Sequence, residues 1–176
     1  MIQSIAYLAD DGSMCPLPVS LGEEDLDCSK AHQWWGGGYG LRWKAEQGWV
    51  ELFRGIPLSA FPTPNWDGVV ILGIPEWLAP HNAAIYNADG SLRFHLKTPK
   101  QLTRHFPGYV HTPEEVARRE PEGIFQVGWG FGDGISDWDR PWMWARISLH
   151  CDVYEQRYFD PETGEFDMTH FHVARR

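Results

Sequence analysis

The residues with most chemical potential fall in one segment, Gly128-Trp129-Gly130-Phe131-Gly132-Asp133-Gly134-Ile135-Ser136-Asp137-Trp138-Asp139-Arg140-Pro141-Trp142-Met143-Trp144, which mixes four Trp with three Asp and one Arg. The Asp spacing and the lack of a closing Glu do not match an EF-hand loop, so a calcium site of that type is excluded. The mixture suits protein recognition instead. Trp supplies large anchors that gain from desolvation, and carboxylates around them select a basic surface. Asp133, Asp137, Trp138, Asp139 and Trp142 are therefore the candidate partner-binding residues. The competing use of these Trp residues is core filling, because Trp is usually largely buried.

Other groupings fall short of a catalytic or cofactor site. His170-x-His172 would place two imidazoles on one face of a strand, which suits a metal, but the third ligand would have to come from His150 or a carboxylate elsewhere. Gly36-Gly37-Gly38-Tyr39-Gly40 lacks the Gly-Lys-Ser/Thr ending of a phosphate loop and precedes a strand rather than a helix, so it reads as a turn beside Trp34-Trp35. No Gly-x-Ser-x-Gly elbow occurs, and Glu23-Glu24, Glu114-Glu115 and Asp137 with Asp139 give no sign of converging with separated pKa values. Cys15, Cys28 and Cys151 have no Cys-x-x-Cys spacing and read as reduced thiols. No catalytic residue, metal or cofactor is expected, which weighs against an enzyme.

The framework that must hold such a loop is mainly β. Eighteen Gly and 13 Pro in 176 residues argue against a long-helix bundle, since Gly and Pro cost about 1 and about 3 kcal/mol inside a helix. The length suits a single domain over residues 1–176. Tyr39 to Lys44 and Trp49 to Phe53 alternate across Glu46-Gln47-Gly48 as a hairpin, and Val69 to Leu72 reads as a buried strand. Ile147 to Phe159 reads as one long strand, with Ile147, Leu149, Cys151 and Val153 sharing a face and a register break near Glu155 or Gln156. Glu165 to Val173 follows as another.

Three stretches share turn chemistry: Tyr7 to Met14, Tyr86-Asn87-Ala88-Asp89-Gly90-Ser91-Leu92 and Tyr158 to Phe166, the last containing Asp160-Pro161-Glu162-Thr163-Gly164. Asp-Gly favours tight hairpins, because Gly takes positive φ without steric cost. Their irregular spacing argues for recurring hairpins rather than a fixed-period propeller. Helix signals are confined to the middle of the chain. Thr112-Pro113-Glu114-Glu115 is a capping box for a helix ending before Pro121, and Thr98-Pro99 is the candidate start of another reaching Phe106. The fold class is α+β, mainly β: an antiparallel, twisted sheet or partly closed barrel, with one or two short helices around residues 98–120.

Charge narrows the partners. The net charge is −9, divided as −4, 0 and −5 over residues 1–60, 61–120 and 121–176. Such acidity works against a nucleic-acid backbone, whose binding draws on Lys and Arg. No apolar run is long enough for a membrane span, and the first residues do not look like a secretory signal, so the expected compartment is the cytoplasm.

A small, acidic, Trp-rich β chain with Tyr-x-x-Asp-Gly at Tyr86 to Gly90 and Asp-Pro-Glu-Thr-Gly at Asp160 to Gly164 resembles the immunity proteins of bacterial contact-dependent and type VI secretion toxin systems. That resemblance implies a cytosolic binding protein that neutralises a cognate toxin, such as a nuclease with a basic surface, by direct contact. It implies no nucleic-acid or membrane partner, and a monomer or weak dimer. The alternative from another class is a small β-barrel that binds or transforms a sugar or hydrophobic small molecule.

Overall fold

The computed structural model describes residues 1–8, 14–16, 40–52, 58–73, 80–103, 112, 114–115, 118, 120–129, 142–150 and 153–175. These form β1 (Ile2–Leu8), β2 (Met14–Pro16), β3 (Leu41–Ala45), β4 (Gly48–Leu52), β5 (Ser59–Pro62), β6 (Gly68–Leu72), β7 (Ala83–Asn87), β8 (Leu92–Leu96), β9 (Gly123–Trp129), β10 (Met143–His150), β11 (Val153–Phe159) and β12 (Phe166–Arg175). They assemble into three four-stranded sheets, ordered β2-β1-β3-β4, β5-β6-β7-β8 and β9-β10-β11-β12. The chain is mostly antiparallel β. Among the described residues each sheet is open, with two free edges, and none closes into a barrel.

The alternation of side chains along β6 explains how the sheets stack. Val69 and Ile71 point into a core with Ile2, Ile5, Leu41 and Trp43 of the first sheet. Val70 and Leu72 point the other way, into a core with Ile124, Val127, Met143, Ala145 and Ile147 of the third. The second sheet is thus the middle layer, and every residue of β6 is buried. A strand covered on both faces has no use for a polar position, which is why Val69-Val70-Ile71-Leu72 is uninterrupted.

Two β-bulges adjust the pattern where strict alternation would fail. Ile2 and Ile5 both reach the first core although they are three residues apart, because the β1–β3 register shifts between Ile2 and Ser4. Ile124 and Val127 repeat this in β9, where the pairing with β10 shifts between Arg146 and Ile147. One extra residue in one strand restores the inward aim of the next apolar side chain.

All three stretches with shared turn chemistry join paired strands: β1 to β2, β7 to β8 and β11 to β12. In the second, Gly90 N–H donates to Asn87 O (2.9 Å), and Asp89 Oδ1 accepts from the Ser91 amide and hydroxyl. In the third, Gly164 N–H donates to Asp160 O (2.7 Å) and Asp160 Oδ1 accepts from the Glu162 amide. Gly90 and Gly164 have φ of 88° and 73°, the left-handed region the turn requires. The residues between the first pair of strands lie outside the described residues.

The capping box at Thr112 forms as the sequence predicts. Glu115 Oε2 accepts from the Thr112 amide (2.8 Å), Thr112 Oγ1 accepts from the Glu115 amide (3.2 Å), and Arg118 N–H donates to Glu114 O (3.2 Å). A helix starting at Thr98 does not form over residues 98–103. Thr98 Oγ1 donates to Pro80 O and the Thr98 amide to His81 Nδ1, so the hydroxyl caps nothing. The Leu102 and Thr103 amides are taken by the Glu155 carboxylate, and a side chain from another strand replaces the helix as their acceptor.

The single long strand expected over Ile147 to Phe159 is a hairpin. β10 ends at His150 and β11 begins at Val153, and the two pair from Met143↔Phe159 to His150↔Val153. No break lies at Glu155 or Gln156: the β10–β11 ladder runs unbroken through both, which face Ile147 and Arg146.

Candidate partner-binding surface

Of the sequence-predicted site residues, Trp142 is described and half-buried, whereas Asp133, Asp137, Trp138 and Asp139 lie outside the described residues. What the structure defines is the base from which residues 130–141 depart: the paired ends of β9 and β10, where Met143 faces Trp129 and Trp144 faces Gly128. Gly128, Trp129, Met143 and Trp144 are thus strand residues rather than loop.

Three Trp residues frame this base, each in a different way. Trp129 wedges between the sheets: its indole N–H donates to Pro62 O (2.6 Å), and its ring meets Phe61 and Trp66 edge-on at 5.3 and 5.9 Å. Trp66 itself adopts a φ of 55°, unusual for a bulky residue, and its carbonyl accepts from the Ile2 amide while its ring is buried. Such strain costs on the order of 1–3 kcal/mol and persists only where packing over-determines it. Trp144 lies on the opposite face, its indole N–H donating to Trp129 O (2.7 Å) and its ring so close to Gly128 that a Cβ there would collide with it. Trp142 Nε1 is buried and has no acceptor among the described residues.

Below Trp144 the outer face of the third sheet carries an ordered polar row. Because Met143, Ala145, Ile147 and Leu149 fill the core, Trp144, Arg146 and Ser148 point outward. Strand register then aligns Gln126, Arg146, Gln156 and His172 across β9, β10, β11 and β12. The Arg146 guanidinium sits between two rings, 5.1 Å from the centroid of Trp144 and 5.0 Å from that of Tyr154. Its Nε donates to Gln156 Oε1 (3.1 Å) and its Nη1 to Gln126 Oε1 (2.8 Å). Phe125, the extra residue of the β9 bulge, meets Tyr154 edge-on at 5.7 Å. Sequence reasoning missed this cluster, since Gln126, Arg146, Tyr154 and Gln156 become neighbours only through register.

The two His residues of the C-terminal strand do not share a site. The β11–β12 ladder shifts register between Arg157 and Phe159, which face Phe171 and Phe166, so residues 167–170 bulge out. There Asp167 binds its own neighbours: His170 Nδ1 lies 2.7 Å from Oδ2, and the Thr169 amide and hydroxyl donate to Oδ1, each at 2.7 Å. Burial acts to raise the Asp167 pKa, but these bonds outweigh it and hold the carboxyl down at about 2. His172 instead belongs to the polar row. Among the described residues no three His, Cys, Asp or Glu side chains gather as metal ligands, and no helix is long and apolar enough to cross a membrane.

No family's sequence model matches the chain, and no curated protein matches it. Its fold does match a chain of the solved structure of Tne2 in complex with Tni2, with a TM-score of 0.59 and 14% identity, over 100% of this chain and 99% of that one.

Proposed function

We propose that this protein neutralises a cognate toxin of a bacterial contact-dependent or type VI secretion system by direct contact in the cytoplasm, with Asp133, Asp137, Trp138, Asp139 and Trp142 at the interface. The observation that carries the reading is the match along the whole chain to a protein solved within a complex of two proteins, Tne2 and Tni2. The resemblance in sequence style to immunity proteins supports the same role. The strand ends that flank residues 130–141 support the location: hydrogen bonds from the Trp129 and Trp144 indoles fix both of them in the sheet. The excess of acidic groups in residues 121–176 favours a toxin with a basic surface, through faster encounter and selection against acidic surfaces.

The test is co-expression with the product of the neighbouring gene in the native genome. A stable complex on size exclusion, together with restored growth of cells producing that product, is the expected result. Separate elution and unrelieved growth arrest would refute the proposal.

A further inference from the structure

The proposed toxin contact places acidic residues against a basic surface, yet the third sheet displays one cation built with unusual care. Arg146 is held by two ring faces and two amide oxygens, and among the described residues it has no carboxylate partner. The Glu122 carboxylate accepts from the Ser148 hydroxyl. The Arg93 and Arg157 side chains, in contrast, each lie against a carboxylate, at 3.0 Å from Asp67 and 3.5 Å from Glu155.

We propose that Arg146 is the docking point for a single carboxylate of the partner protein, an Asp or Glu side chain or a chain terminus. The proposal rests on the partner-binding reading and deepens it. Stacking between Trp144 and Tyr154 fixes the plane of the guanidinium, and Gln126 and Gln156 fix its rotation, so little side-chain freedom is lost when a carboxylate arrives. Neutral amides orient the fork without cancelling its charge. The row is open at both ends, where Gln126 and His172 are exposed. It is continuous with the paired ends of β9 and β10 through the Trp144–Trp129 hydrogen bond. A nucleic-acid phosphate is the poorer occupant, because one fixed cation on a chain of net charge −9 cannot gather a polyanion. In the complex, the acidic loop would attract the partner broadly while Arg146 sets the register through one opposite contact.

The test is NMR on the full labelled chain, titrated separately with N-acetylglutamate N-methylamide, the corresponding glutamine compound and a short oligothymidylate. The glutamate compound should move the Arg146 Nε–H and Trp144 indole signals in a saturable way. The glutamine compound and the oligonucleotide should leave them in place. In a folded Arg146→Gln variant the Trp144 response should vanish, and Arg146→Lys, which keeps the charge but loses the fork, should bind at least about tenfold more weakly. Unmoved signals with the glutamate compound, equal responses to both amino-acid compounds, or preference for the oligonucleotide would overturn the proposal, and the first two need no variant to fold. Failure of the co-expression experiment alongside a positive titration would refute the toxin reading and leave the carboxylate site standing.

Discussion

Glu155 Oε2 lies 3.5 Å from Arg157 Nη1, with both side chains wholly buried on one face of β11. Each charge also holds a separate piece of chain. Glu155 Oε1 accepts from the Leu102 amide (2.9 Å), the Thr103 amide (2.6 Å) and the Thr103 hydroxyl (2.7 Å). Arg157 Nε and Nη2 both donate to Asp167 O, at the start of the β12 bulge. Desolvation draws the Arg157 pKa below its ordinary value, opposed by the Glu155 carboxylate. The pair therefore pins the 97–103 segment from one side and the bulge from the other.

Removing one member leaves the other charge buried and alone. Arg157→Met should destabilise the protein by about 3–5 kcal/mol, and Glu155→Leu by a similar amount. The double substitution should cost less than the sum of the two. Urea unfolding of the four proteins checks this, and additive losses would show that the charges do not act as a pair.

Asp167 sets a pH dependence whose sign follows from its lowered pKa of about 2. A carboxyl depressed in the folded state contributes stability above its unfolded pKa, near 3.8. That contribution is lost as pH falls from about 4 towards 2. Its size is on the order of 1 kcal/mol after allowance for solvent screening. Unfolding free energies measured across this range should fall more steeply for the wild type than for Asp167→Asn.

Gly128→Ala should disturb the Trp-framed base directly, because the new Cβ would meet the Trp144 ring. The ring must shift, which breaks the geometry of its bond to Trp129 O and loosens its contact with Arg146. A loss of about 1–3 kcal/mol is expected, with a changed near-ultraviolet tryptophan signal. An unchanged spectrum would show that the ring is not held as described.

At the proposed interface, aromatic and acidic substitutions should separate kinetically. Trp138→Ala or Trp142→Ala should speed dissociation, costing on the order of 2 kcal/mol or more. Asn at positions 133, 137 and 139 should slow association, with a loss that shrinks as salt rises. Stopped-flow or surface-binding kinetics with the cognate toxin decide between these effects. Unaltered kinetics in folded variants would place the interface elsewhere.

Local chemistry made a good part of the fold legible. The turns at Asn87 to Ser91 and Asp160 to Glu165, the hairpin across Glu46-Gln47 and the capping box at Thr112 each depend on residues close in sequence, and each forms where the sequence predicts. Misreadings arose where a distant partner decided. Glu155 resembles a break in an apolar pattern, yet it stays in register because Leu102 and Thr103 satisfy it from more than fifty residues away. The same bonds replace the helix expected after Thr98 over the described residues 98–103. A local bond decided one case as well: His170 and His172 are spaced to share a strand face, but the bulge closed by Asp167, three residues from His170, separates them. Gly128, Trp129, Met143 and Trp144, read from the sequence as part of a loop, are strand residues because β9 and β10 pair there, and the row through Arg146 depends on the pairing of four strands, which no single segment encodes.

The double-sided burial of β6 sets the order in which the molecule gives up its amide protons. Its backbone is bonded to β5 on one side and β7 on the other, and its side chains enter both cores. Fraying of the outer sheets can release protons from β2 or β12 while the middle layer stays shut. Exchange at Val70 and Ile71 requires both cores to part, so their protection should equal the free energy of global unfolding. The centre of β6 is in that sense the last part of the molecule to learn that the rest has opened.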